Sequence, residues 1–85
     1  MRAGKQIGGP VADPIREMLN SSRRDGVIFH CQDGNKAETT RYAALMLKRR
    51  NGYSYKTMRK DNVLMVYKTG MDPYELHNVV KVDCH

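Results

Sequence analysis

Polar and apolar positions along the chain fall into short runs with clear punctuation between them. Asp13-Pro14 opens the first. Asp accepts from free backbone N–H groups as an N-cap, and Pro at the first helical position gives up no needed donor. Ile15, Met18, Leu19 and Ser22 then recur at i, i+3, i+4 and i+7. That narrow apolar stripe predicts a helix ending before Gly26. Val27 to Gln32 is β-branched and aromatic, bounded by Gly26 and Asp33-Gly34, and predicts a short strand. Asp33-Gly34-Asn35 is a turn. Asn35, with Glu38 three residues on, signals a capped helix from Lys36 to about Arg50. Thr40, Ala43, Ala44 and Leu47 share one face of it, with Met46 beside them, while Tyr42 and Leu45 adjoin. Asn51-Gly52 closes this helix. Tyr53–Arg59 and Val63–Lys68, separated by Lys60-Asp61-Asn62, read as a β-hairpin. Asp72-Pro73 with Glu75 repeats the capping signal and predicts one or two helical turns. Val79 to Val82 reads as extended, an edge strand.

The order is therefore α-β-α-β-β, with a further strand if residues 79–82 pair. The expected class is α+β: a small single domain with a C-terminal β-hairpin packed with two helices. A winged helix is the alternative, since it also ends in a hairpin. Residues 1–12 carry four Gly/Pro and no apolar period, and read as a flexible N-terminal arm. Residues 13–85 form the domain, with 71–85 as a weakly ordered acidic tail.

Composition narrows this only a little. Eighty-five residues allow one domain, and a chain so short buries only about 60% of its unfolded surface. With no Trp and one Phe, the core must come from Val, Leu, Ile, Met and Tyr. No apolar run approaches the roughly 20 residues of a membrane span, and no secretory h-region is visible. A cytoplasmic location is expected. The two cysteines, Cys31 and Cys84, are too few for a disulfide framework.

Charge changes the picture more. The net charge is +6, unevenly spread. Residues 1–35 hold five Lys/Arg against four Asp/Glu, residues 36–70 hold nine against two, and residues 71–85 hold one against three. Such asymmetry points to a polyanionic partner, DNA or RNA. The expected binding residues are Lys36, Arg41, Lys48, Arg49 and Arg50 on the long helix, and Lys56, Arg59 and Lys60 on the hairpin. Each cation placed on a phosphate adds affinity independent of base sequence. Tyr53 and Tyr55 are the candidates for stacking on bases. If the helix end and hairpin are neighbours, most of these cations share one surface, which the acidic tail can cover through Asp72, Glu75 and Asp83. The ordinary explanations are that cations in a last helical turn complement the macrodipole, and that Lys on a hairpin blunts its edge.

Signatures of catalysis are weak. His30-Cys31 and Cys84-His85 offer zinc-type ligands, but neighbours on a strand point to opposite faces and no C-x₂₋₄-C pair exists. Neither metal nor cofactor is expected. His30 as a general base, with His77 as a second acid/base, lacks a connecting geometry. Asp33-Gly34-Asn35-Lys36 lacks the glycine spacing of a phosphate loop. The primary expectation is a non-enzymatic nucleic-acid-binding domain. The alternative is a small protein-interaction module or inhibitor, binding an acidic face of a larger protein such as a nucleic-acid enzyme. A homodimer is compatible with either, since two copies would complete the thin core.

Overall fold

The computed structural model describes residues 9–84, with the backbone alone described at Cys84. The elements are α1 (Ala12–Asn20), β1 (Gly26–Cys31), α2 (Gly34–Asn51), β2 (Tyr55–Lys60), β3 (Val63–Lys68) and β4 (Val79–Cys84). The chain is a small α+β domain with a four-stranded mixed sheet in the order β2-β3-β1-β4. β2 pairs antiparallel to β3, and β3 antiparallel to β1. β4 runs parallel to β1, with Gly26 opposite Val79 and Phe29 opposite Val82.

Strand alternation decides where the core forms. Val27, Phe29 and Cys31 of β1 point to one face, with Leu64 and Val66 of β3 and Tyr55 of β2. Both helices cover that face. α1 contributes Ile15 and Met18, and α2 contributes Ala37, Thr40 and Ala44, all buried. Val11, Leu19, Leu47, Tyr53 and Val82 close the margins. Among the described residues, the opposite face of the sheet carries no helix.

Several predicted details shift. α1 starts two residues earlier than expected, capped at Val11 and not Asp13: the Asp13 N–H donates to the Gly9 carbonyl at 3.0 Å, which begins the helical bonding. Val11 packs on the core at this turn and draws the start earlier. Ser22 lies beyond the helix. α2 is capped by Asp33, not Asn35: its carboxylate accepts from the Lys36 N–H at 2.8 Å. Ala43, expected inward, is exposed. The β2–β3 turn is tighter than Lys60-Asp61-Asn62, since Lys60 still pairs with Val63. Asp61 there has φ 55, a conformation Asp tolerates in hairpin turns. Asn62 ties this turn to β1, its amide donating to the Cys31 carbonyl at 2.9 Å and its carbonyl accepting from the Cys31 N–H at 2.8 Å.

The short helix expected after Asp72 does not form. Asp72 instead makes a local turn, its carboxylate accepting from Tyr74 N–H and its carbonyl from Glu75 N–H, both at 2.9 Å. The next backbone donors go elsewhere: Asp25 Oδ2 accepts from His77 and Asn78 at 3.3 and 3.4 Å. The Asp25 N–H donates to the Asn78 carbonyl at 2.8 Å. This docking aims β4 along β1. It also brings Leu76 over Gly26, where a Cβ would stand 2.8 Å from the Val66 carbonyl oxygen and 3.1 Å from Leu76 Cδ1. No side chain larger than hydrogen fits there unchanged. Most of the segment read as an acidic tail is therefore a docked loop and an edge strand. Of the predicted flexible arm, residues 1–8 lie outside the described residues.

Candidate nucleic-acid interface

α2 places small residues inward and large ones outward. Its buried positions are Ala37, Thr40 and Ala44, which let the helix lie close to the sheet. Its outer surface carries Tyr42, 64% exposed, and the half-buried Leu45 and Met46. From Tyr42 to Leu47 apolar positions thus run round the helix, although one side alone meets the core. A surface helix that needs only to cover a sheet is polar on the outside.

The C-terminal half of α2 turns this outer surface into a groove. Gly52 ends the helix with φ 66, and its N–H and that of Tyr53 both return to the Lys48 carbonyl. The left-handed turn swings Tyr53 back beside the helix. Tyr42, Leu45, Met46, Lys48, Arg49, Gly52 and Tyr53 line an open groove of about 540 Å³. Tyr53 is held from α1, its hydroxyl accepting from Arg16 Nε at 3.3 Å. The Lys48 ammonium lies 5.8 Å from the centre of the Tyr55 ring. Arg49 and Arg50 are exposed. Among the described residues, no carboxylate pairs with Lys48, Arg49 or Arg50.

The remaining predicted residues are dispersed. Arg41 and Arg59 converge on Glu38, at 2.9 and 3.2 Å, and Arg59 also donates to the Asp61 carbonyl at 2.7 Å. A carboxylate already holds both guanidiniums, so they are the poorer phosphate ligands. Lys36 sits half-buried in the first turn of α2, far along the helix from the groove. Lys56 and Lys60 alternate with the core residues of β2 and lie on the other side of the sheet from the helices. The single shared surface expected from the sequence is therefore divided by the sheet.

Tyr55 is a correction. It is 1% exposed, and its hydroxyl donates to the Ala44 carbonyl at 2.5 Å. Burial chiefly, with the adjacent Tyr53 adding to it, pushes this hydroxyl up to about 12. Tyr55 is a core residue and offers no face to a base. Tyr42, Leu45 and Met46 were missing from the predicted site. Their signal was present as large side chains opposite the Ala37-Thr40-Ala44 stripe, but charge does not reveal it.

The acidic segment does not cover the groove. β4 occupies the sheet edge farthest from β2. His30 is exposed beside Asp83 at one end of β1, whereas His77 docks on Asp25 at the other. Cys31 faces the core, its Sγ 3.7 Å from Thr40 Oγ1. Among the described residues, no three His, Cys, Asp or Glu side chains gather as a metal site, and no helix is long and apolar enough to cross a membrane. No family model, curated protein or solved structure matches the chain.

Proposed function

We propose that the chain is a non-enzymatic nucleic-acid-binding domain that takes single-stranded segments on the outer surface of α2. One observation carries this reading: the groove sets Tyr42 and Tyr53 beside Lys48 and Arg49, with no carboxylate among the described residues pairing these cations. Aromatic rings next to cations are the elements of sequence-tolerant single-strand binding, where bases stack and phosphates are neutralised. A helix dipole accounts for cations in the last turn. It does not account for an exposed Tyr42 and half-buried Leu45, Met46 and Tyr53 lining the same groove.

The test is fluorescence anisotropy with a labelled single-stranded oligonucleotide and its duplex at several salt concentrations. The single strand binds more tightly, and affinity falls steeply with salt. Replacing Lys48, Arg49 and Arg50 together by Ala flattens the log–log salt slope by about 2, at roughly 0.7 per lost phosphate contact. Tyr42→Ala lowers affinity about tenfold or more, the value of one stacked base, and leaves the slope unchanged. Absence of binding at low salt ends this reading.

A second reading rests on the same groove. Tyr, Met and Arg around an apolar floor also describe a protein-binding hot spot, here suited to an acidic partner. Stoichiometric capture of one protein through Tyr42 and Arg49, surviving nuclease treatment, favours it.

A further inference from the structure

The sheet face away from the helices carries a second pattern, independent of the groove. Its side chains stand in rows across the strand order β2-β3-β1-β4. One row is Met58, Met65, Ile28 and Lys81, and the next is Lys60, Val63, His30 and Asp83. Met58, Met65, Ile28 and Val63 are half-buried by their neighbours alone, while Lys60, Lys81, His30 and Asp83 are exposed. Leu76 closes the far end over Gly26. The face is an apolar strip with charges at its corners.

We infer that this face is covered by a second copy of the chain, in a two-fold dimer whose axis runs parallel to the strands. The charges select that axis. A two-fold axis along the strands sets β2 over the partner's β4 and β3 over its β1, keeping each row on itself. Lys60 then meets the partner's Asp83 twice over, and Met65 meets the partner's Ile28 at the centre. The other in-plane axis, across the strands, reverses the rows. It sets Lys60 over the partner's Lys56 and Lys81 over the partner's Lys81, which like charges oppose. Strands in the favoured arrangement stay aligned, as in face-to-face sheet packing, with sheets about 10 Å apart. That gap is within reach of a lysine and an aspartate extended toward each other.

The size of the face sets the strength. Four strands about 4.8 Å apart and six residues long span roughly 20 by 20 Å. Two such faces together come to roughly 800 Å², below the roughly 1,000 Å² of a stable specific interface and in the range of weak, transient contacts. The dimer is therefore weak and concentration-dependent.

Sedimentation equilibrium on protein freed of nucleic acid, from low to high micromolar, tests it. The wild type passes from monomer to dimer. Lys60→Asp and Asp83→Lys each weaken the dimer about tenfold, since each replaces two attractive pairs with repulsive ones. The double variant Lys60→Asp/Asp83→Lys restores it to within a few-fold. Met65→Glu, which buries a charge at the centre, leaves monomer, while its far-ultraviolet spectrum and melting confirm that it folds. Four results overturn the inference: monomer throughout, a dimer indifferent to Met65→Glu, failure of the double variant to restore association, or association only when an oligonucleotide is added. The last shows chains joined by a shared strand and not by this face. Tyr42 and Arg49 lie on the far side of the sheet, so failure here leaves the groove reading untouched.

Discussion

The Tyr55 hydroxyl ends inside the protein, on the Ala44 carbonyl of α2, and joins an edge strand to the helix above it. Its neutral form is favoured by burial, which pushes its folded pKa up to about 12 from the ordinary tyrosine value of 10.0. Below pH 10 the hydroxyl is neutral in both states and its contribution is complete. Between 10 and 12 the unfolded chain ionises first, and stability is lost as pH rises. Tyr55→Phe removes the hydrogen bond and costs about 1 kcal/mol at pH 8. By pH 11 it also escapes about 1.4 kcal/mol of the alkaline loss, so the two stability curves converge or cross. Urea unfolding of both proteins at pH 8 and 11 checks this, and parallel pH profiles would contradict it. Buried tyrosine was one of two readings open from the sequence. Nothing local distinguishes Tyr55 from Tyr53, since adjacent alternate positions on a β-rich run look alike until their partners are known.

At the scale of elements, α2 sits close to the sheet because its inward residues are small. Ala44→Leu overfills that contact and costs about 1–3 kcal/mol, whereas Leu45→Ala, one residue on and facing outward, costs less than about 1 kcal/mol. Thermal melts of the two variants give the comparison, and equal losses would disprove the assigned faces. The helix itself was legible from its periodicity and closing Asn51-Gly52, and β1 and the hairpin from β-branched runs between turn residues. Two things were not. The capping signal at Asp72-Pro73 is real, but Asp25, far away in sequence, takes the backbone donors that follow and prevents a helix. The partner of Val79–Val82 is likewise set by non-local docking, and extended character alone assigns neither partner nor direction. Of the candidate site, Lys48, Arg49 and Tyr53 were found through charge and its neighbourhood. Tyr42, Leu45 and Met46 needed knowledge of which helix face was already occupied.

For the whole molecule, the sheet is a partition. Core and groove lie on the helix side, and Lys56, Lys60 and Lys81 lie on the other. A net charge of +6 therefore does not act as one surface, which is why segment charge overstated how many residues share a site. β4 completes the partition by pairing along the whole of β1. A chain ending at residue 78 leaves β1 as an unprotected hydrophobic edge, a template for association with other chains. It is expected to lose its cooperative melting transition and elute as aggregate on size exclusion. A sharp melt with monomeric elution would show that β4 is dispensable.

That pairing also has a cost in time. Asp25 and Asn78, which set its register, stand 53 residues apart. At bacterial and eukaryotic synthesis rates of about 5–20 residues per second, β1 waits roughly three to ten seconds for its neighbour to be made. During that interval a newly emerging Val27-Ile28-Phe29 segment has no finished sheet to enter. The nascent chain is then a client for whatever shields apolar strands at the ribosome exit, and its yield depends on how fast residues 79–84 follow.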